Sequence, residues 1–289
     1  MRLSKGVQYM LYATFLFSCM NVVVKLVPRI PAVEVVFFRC VVSLVMSYAV
    51  LRAQRVYIWG HNRRWLVARG VAGSFSLILY FILLQQIPLA TAVTLQFLAP
   101  IFTATIGVFF LKEKVLPWQW VFFLLSFVGM LVINGFDTRI APVHLLMGVV
   151  AALGAGTAYN IIRKLNVSEH PLVIVLYFPL VTMPITGVYS AFHWVTPVGW
   201  DWLALLGVGV LTQFAQYFMT KAYQLEEVSK VANLKYLSII YALSFGFLFF
   251  KETFNFMTYL GMALVLLGVI LNVWYKRSIT PSKKIAQKV

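Results

Sequence analysis

The sequence predicts an all-α integral membrane protein whose ten transmembrane helices form two inverted five-helix repeats. Of its 289 residues, 62% are hydrophobic and 11% are charged, whereas a soluble domain is close to half apolar and about a quarter charged. The apolar residues are gathered in ten long runs, and the second half of the chain repeats the first. These observations exclude a water-soluble globular protein.

Each apolar run approaches the roughly 20 residues that a helix needs to cross the hydrocarbon core of a bilayer. Proline, glycine and charged residues bound the runs. The predicted segments cover residues 7–27, 32–51, 66–87, 91–111, 117–135, 143–163, 171–192, 201–223, 230–250 and 256–275. Almost no chain remains for a soluble domain.

Sliding the chain against itself by 139 positions aligns its two halves without a gap. Asn21 then falls on Asn160, and we call residues related by this offset repeat mates. Further mates are Lys25 with Lys164, Gln85 with Gln224, Leu98 with Leu237, Lys112-Glu113 with Lys251-Glu252, and Gly129 with Gly268. We therefore predict a first repeat over 1–138, a second over 139–275 and a basic cytoplasmic tail over 276–289. Because the first segment has a mate in the sixth, we expect it to belong to the mature fold and not to a cleaved signal peptide.

Five segments per repeat is an odd number, so the second repeat enters the membrane from the opposite side, as in many secondary transporters. The formal net charge of +16 supports this topology. Sixteen basic residues fall on the side that holds both termini, and the opposite side holds four: Lys25, Arg29, Arg139 and Lys251. The positive-inside rule predicts cytoplasmic termini, and we expect a bacterial inner membrane.

Neither the cysteines nor the histidines indicate a metal or another cofactor. Cys19 and Cys40 both lie inside apolar runs, so a disulfide framework is not expected. The four histidines lie at segment edges without ligand spacing. Because the basic residues follow the membrane topology, we expect no nucleic-acid partner. The predicted partners are the lipid bilayer and a small-molecule substrate.

Lys235 is the clearest charged residue inside a predicted segment, where charge is costly and usually faces a bundle interior or water. Its repeat mate is Gln96, so the two side chains are expected to face each other across the repeat axis, where transporter sites lie. The alternative is that Lys235 extends to the cytoplasmic interface. Pro100 clashes with the carbonyl of Gln96 and frees it, which favours a polar cavity there. A packing kink without a ligand is equally compatible.

Further polar residues mark candidate positions on other segments. In the eighth, Gln213, Gln216, Tyr217 and Thr220 share one helical face, which serves either substrate contact or hydrogen bonding between helices. In the third, Tyr80 belongs to a related face.

Three more candidates lie in the first, second and sixth segments. Asn21 and Asn160 are deep enough to need partners, although Asn160 could equally be structural. Arg39 is expected either to pair with Glu34 in a structural ion pair or to reach the cavity mouth.

Charged residues near the segment ends are expected to have structural roles. Lys25 and Lys164 lie near opposite faces and are predicted to anchor at headgroups. Glu113 and Glu252 are predicted to be hydrated structural groups at helix ends.

Several of these residues form a pattern that resembles the EamA-type repeat of the drug/metabolite transporter superfamily. It comprises Pro31 and Arg39, Tyr80-Phe81, Pro88 to Ala92, Phe97 to Pro100, Phe110 to Glu113 and Gly129. The resemblance implies ten helices in two inverted repeats, a central cavity lined by helices 1–4 and 6–9, and alternating access. The second copy departs from the pattern, with Ile239 in place of Pro100 and Phe178 in place of Arg39.

The predicted function is therefore secondary transport of a small organic metabolite through a mid-membrane site. Lys235 would attract a carboxylate, so an amino acid or another carboxylate is the first expectation. Aromatic side chains would supply the pocket wall: Tyr80, Phe97, Tyr217 and Tyr236. The alternatives are a channel and, less favoured, a lipid-modifying enzyme, for which the sequence offers no catalytic constellation.

Overall fold

A computed structural model describes residues 4–110, 116–165, 168–225 and 233–279, and this part of the chain is helical with short connections. Helices form because the bilayer offers no partner for backbone polar groups, so each segment must satisfy its own. The helices are α1 (Lys5–Leu26), α2 (Ala32–Ala53), α3 (Arg63–Gln86), α4 (Leu89–Gln96), α5 (Ala99–Phe110), α6 (Pro117–Phe136), α7 (Pro142–Leu165), α8 (Pro171–Phe192), α9 (Trp200–Leu225), α10 (Leu237–Phe250) and α11 (Phe256–Ile279).

The prediction of ten membrane segments is confirmed. Nine stretches in the described ranges are long and apolar enough to cross a membrane, and Leu234–Phe250 forms a shorter apolar helix. The helix α11 continues to Ile279, so the predicted tail over 276–289 begins inside a helix, and 280–289 lie outside the described residues. We call the face with the starts of α1 and α3 the terminus side, and the face with their ends the far side.

The fourth segment is interrupted at its middle, where α4 ends and α5 begins. The amides of Phe97 and Leu98 donate to carbonyls three residues back, Thr94 and Leu95, at 3.0 and 3.1 Å. Pro100 has no N–H and cannot continue the α-helical ladder, which explains the interruption. The described part of the ninth segment begins with a 3₁₀ turn over Asn233–Tyr236, which precedes α10.

The helices pack in pairs that follow the repeat. The helix α1 packs on α9 and its counterpart α7 packs on α3, while α2 pairs with α8, α4 with α10 and α6 with α11. This is the pairing expected when a pseudo-two-fold axis relates the halves. Two equivalent helices, one from each half, can contact each other only at that axis. The axis therefore passes between α2 and α8 and between α4 and α10.

The α6–α11 pair depends on glycines that let two backbones approach. A Cβ atom on Gly129 would lie 2.7 Å from the carbonyl oxygen of Gly261 and 2.7 Å from the amide nitrogen of Val265. Backbone atoms cannot move aside as a flexible side chain can. Small residues at such contacts are typical of helix pairs in membranes.

We expect Gly129→Ala to lower the stability of the protein in detergent by about 1–3 kcal/mol, the cost of overpacking a close contact. Thermal unfolding measures this. Gly135→Ala on the same helix is the matched control, because a Cβ there meets nothing within 4 Å. Equal unfolding temperatures for the two variants would contradict the backbone contact.

Candidate functional site

Two repeat mates, Phe97 and Tyr236, form a tilted ring contact where the fourth and ninth segments meet, and we call this contact the Phe97–Tyr236 stack. Their ring centroids are 5.2 Å apart at an interplanar angle of 44°. Phe97 lies in the break between α4 and α5, and Tyr236 ends the 3₁₀ turn before α10. Because the rings are mates in contact, this stack lies on the pseudo-two-fold axis.

Gln96 and Lys235, the polar mates that the sequence analysis singled out, immediately precede these rings in the chain. The Gln96 Oε1 atom is buried and has no hydrogen-bond partner within the described residues. Lys235 is partly buried in the 3₁₀ turn. Lys235 therefore lies in a 3₁₀ turn and not in a regular α-helix.

Asn21 and Asn160 have different surroundings although they are repeat mates. Asn160 donates from Nδ2 to the carbonyl oxygens of Thr103 and Gly156, both at 2.9 Å, and so ties α7 to α5. Asn21 interacts with the Tyr80 hydroxyl. The Oδ1 atoms of both asparagines are buried without a hydrogen-bond partner among the described residues. Asn160 therefore links α7 to α5, and Asn21 links α1 to α3 through Tyr80.

A cavity of about 30 Å³ lies between α2, α3, α8 and α9. Two arginines line it, Arg39 from α2 and Arg69 from α3. The remaining lining is Ser43, Ser47, Val175, Phe178, Pro179, Thr212, Gln213 and Gln216. Arg69 was not predicted as a site residue, although a basic residue at the fourth position of the apolar segment 66–87 was a usable signal.

The expected ion pair between Arg39 and Glu34 is not formed, and that expectation is wrong. Arg39 donates from Nε to Thr212 Oγ1 at 3.1 Å, while Glu34 Oε2 accepts from the amide of Val195 at 3.1 Å. Residues five apart do not share a helical face, as residues three or four apart do. Arg39 faces the cavity instead.

The polar face of α9 that was predicted to carry Gln213, Gln216, Tyr217 and Thr220 is divided between the cavity and the outside of the bundle. Gln213 donates to Ser47 Oγ at 3.2 Å, so it links α9 to α2 by a hydrogen bond between helices, and Gln216 lines the cavity. The Tyr217 side chain is 52% exposed and packs on Phe218. Tyr217 reaches neither the aromatic stack nor the cavity, and the side chain of Thr220 lies outside the described residues.

The far side is fastened by a buried ion pair that joins α1 to the end of the ninth segment. Lys25 Nζ lies 3.0 Å from Glu252 Oε1 and donates to the carbonyl oxygen of Ile87 at 2.6 Å. The two Glu252 oxygens accept from the amide of Leu89 at 3.1 and 2.8 Å. We call Lys25, Glu252 and the Leu89 amide the far-side lock.

The far-side lock corrects the prediction for Lys25, which does not extend to headgroups. Glu252 makes a structural contact as expected, but it is buried instead of hydrated, because each charge neutralises the other. The mate Lys164 lies over the Trp65 ring at 3.8 Å, and Glu113 lies outside the described residues.

The fold has ten membrane segments, and the interrupted fourth segment meets the 3₁₀ turn of the ninth on a symmetry axis. Together with the buried polar side chains, this arrangement defines a multi-pass membrane transporter built from repeats. The chain belongs to the EamA-like transporter family, which matches it twice, over residues 4–135 and 143–274.

Curated relatives with this similarity are transporters. The pseudopaline exporter CntI of Pseudomonas aeruginosa is 30% identical over 93% of this chain and 95% of its own. Human solute carrier family 35 member G1 is 29% identical over 94% and 80% of the two chains. The S-adenosylmethionine uptake transporter of Rickettsia felis is 24% identical over 89% and 87%. The chain is a secondary transporter of small metabolites.

The fold is shared with a solved crystal structure whose chain is 19% identical. The two superpose with a TM-score of 0.64 over 94% of this chain and 98% of the other. At this identity the likeness concerns the fold alone.

Proposed function

We propose that this transporter moves a small carboxylate-bearing metabolite, such as an amino acid, by alternating access to a site beside the Phe97–Tyr236 stack. The observation that carries the proposal is the stack itself, a contact between repeat mates that joins the interruption of the fourth segment to the 3₁₀ turn of the ninth. Interrupted helices near the repeat interface are where transporters of inverted-repeat design bind substrate.

The chemistry of the neighbouring side chains favours an amino acid. The Lys235 ammonium would attract the carboxylate, more strongly than in water because the surroundings have a low dielectric constant. The buried Gln96 Oε1 atom is an acceptor without a partner among the described residues, so it could accept a hydrogen bond from the amino group. The two rings would supply a flat apolar wall.

Orientation and mechanism belong to the same proposal. We place both termini in the cytoplasm of a bacterial inner membrane, because the basic residues outside the segments are concentrated on that side. The relatives include an exporter and an uptake transporter. We therefore assign no fixed direction and propose exchange, with the substrate gradient across the membrane setting the net direction. The chain carries out no chemical step in this proposal.

Counterflow in proteoliposomes tests the proposal. Amino acids and other carboxylates are first screened by thermal shift, since a ligand that binds the folded state raises its apparent stability. The best ligand is then loaded inside vesicles at high concentration and supplied outside as labelled compound. We expect the unlabelled pool to accelerate labelled uptake, with saturation. A flux without acceleration would indicate a channel and overturn alternating access.

Gln96→Ala is expected to weaken transport only moderately. A neutral side chain loses one hydrogen bond, worth about 0.5–1.5 kcal/mol, which corresponds to an increase of about 2- to 10-fold in the KM for transport. Concentration-dependent uptake measures it, and Gln96→Glu should restore an acceptor. Equal KM values for the wild type and Gln96→Ala would remove Gln96 from the site.

A further inference from the structure

We infer that Arg39 and Arg69 form an anion-binding site that takes one carboxylate group in the cavity between α2, α3, α8 and α9. The substrate class rests on the proposed function, but the anion binding does not require it. When the ligand is the transported metabolite, the two guanidinium groups share its carboxylate.

The two arginines converge on one aromatic ring. The guanidinium carbon of Arg39 is 5.5 Å from the centroid of Phe178, and that of Arg69 is 4.6 Å from the same centroid. The two cations are close enough to repel each other. A ring face stabilises a cation by its quadrupole, but it cannot accept the hydrogen bonds that a guanidinium fork offers.

Several of those donors have no acceptor in the part of the chain that the structure describes. Arg39 is only 6% exposed, and its Nη1 atom, like Nε and Nη1 of Arg69, is buried without a hydrogen-bond partner among the described residues. Structures rarely leave buried donors of this kind without a partner. A planar anion would satisfy them, because its oxygens match the spacing of guanidinium N–H groups.

No acidic side chain in the described ranges neutralises the pair. Three of the five acidic residues there form ion pairs elsewhere: Asp137, Asp201 and Glu252. Glu169 accepts from the amides of His61 and Asn62, and Glu34 accepts from the Val195 amide. The cavity lining supplies only hydroxyl and amide groups besides the arginines and apolar residues. Because charge inside a membrane protein is costly unless it is paired or functional, two unneutralised arginines indicate an anionic ligand.

The site also lies on the pseudo-two-fold axis. Arg39 and Phe178 are repeat mates, so their contact straddles the axis as the Phe97–Tyr236 stack does. The mate of Arg69 is Val208. The positive charge is therefore confined to one half of a symmetric cavity, which gives a bound anion a single orientation.

The size of the cavity sets the size of the ligand group. A volume of about 30 Å³ exceeds the roughly 10–15 Å³ that one water requires, so it holds about two waters or the two oxygens of one carboxylate. A Cβ on Gly73 would approach the Phe178 ring to 3.0 Å, so glycine there leaves room for the ring. The rest of a ligand would extend beyond the cavity.

Thermal unfolding of the purified full chain in detergent tests the site. Sodium succinate is titrated against sodium chloride of equal ionic strength, and sodium phosphate and phosphatidylglycerol form separate arms. We expect a saturable rise in Tm with succinate. Stabilisation by phosphatidylglycerol with none by succinate would assign the arginines to a lipid headgroup and overturn the inference, as would an absence of stabilisation in every arm.

Arg69→Glu is the decisive variant. The new carboxylate would occupy the place of the anion beside Arg39, so we expect a Tm without ligand at or above the wild-type value and no rise with succinate. Arg39→Gln should also lose the rise. Arg64→Gln removes an exposed charge from the same helix as Arg69, and this variant should keep the rise in Tm with succinate. A wild-type succinate response in Arg69→Glu would overturn the site.

The same measurements separate this inference from the transport proposal. Because the detergent assay involves no transport, a missing succinate response counts against the arginine site alone. A normal response together with absent counterflow counts against the transport proposal alone.

Discussion

Lys235→Ala is expected to abolish or strongly reduce transport while leaving expression and thermal stability close to those of the wild type. A hydrogen bond to a charged partner contributes about 1.5–3 kcal/mol, which corresponds to a loss of about 10- to 150-fold in substrate affinity or transport efficiency. Initial rates of counterflow in proteoliposomes, taken at several substrate concentrations, measure the effect.

The matched control for this variant is Lys221→Ala. Lys221 lies near the end of α9 on the terminus side and interacts with the Tyr217 ring, which is exposed on the outside of the bundle. If Lys235 only anchored its segment at the interface, the two variants would have the same small effect. Normal transport by Lys235→Ala would therefore refute its place in the binding site and leave the fold assignment intact.

The ten segments were predictable because the bilayer imposes a simple rule. Every segment must be apolar over a fixed length and must satisfy its own backbone groups, and both requirements can be read from the sequence. The interruption of the fourth segment was equally accessible, since Pro100 lacks an N–H and its ring clashes with the carbonyl four residues earlier. The 3₁₀ turn that holds Lys235 has no such signal, because Ile239 stands at the position of Pro100.

The errors concern contacts between segments far apart in the chain. Glu34 was the nearest acidic residue to Arg39 in sequence, but helix geometry directs the two side chains to different faces and Arg39 meets Thr212 of α9. The partner of Lys25 is 227 positions away, and nothing local to Lys25 distinguishes a buried pair from a headgroup anchor. Arg69 lies near a segment end, where basic residues were not predicted to be site candidates.

Breaking the far-side lock is expected to shift the transporter towards a conformation open on the far side. The Lys25 and Glu252 side chains are 13% and 8% exposed. Removing one member of a buried pair leaves the other charge uncompensated, which costs about 3–5 kcal/mol. Opening on the far side exposes the remaining charge to water and removes this cost. The cost therefore falls only on the conformation that is closed on the far side. The equilibrium between the two conformations would then shift by a factor of about 100 or more, since each 1.4 kcal/mol is tenfold.

A reporter cysteine measures this shift. Ile87, whose carbonyl accepts from Lys25, is 1% exposed, so Ile87→Cys in a chain with both native cysteines replaced by alanine should react slowly with a membrane-impermeant maleimide added on the far side. We expect Lys25→Met and Glu252→Gln each to accelerate the reaction. In the double variant the labelling rate should rise by less than the combined effects of the two single substitutions, because no isolated charge is left.

The control for the lock is another ion pair on the same face. Arg29 pairs with Asp201, but the arginine side chain is 55% exposed, and solvent and salt screen exposed pairs so that they contribute little to stability. Arg29→Gln should therefore leave the labelling rate nearly unchanged. If Arg29→Gln and Lys25→Met had equal effects, burial of the charges would not be what holds the far side closed. The lock would then be one of several interchangeable surface contacts, and the coupling between α1 and the end of the ninth segment would have to lie in their apolar packing.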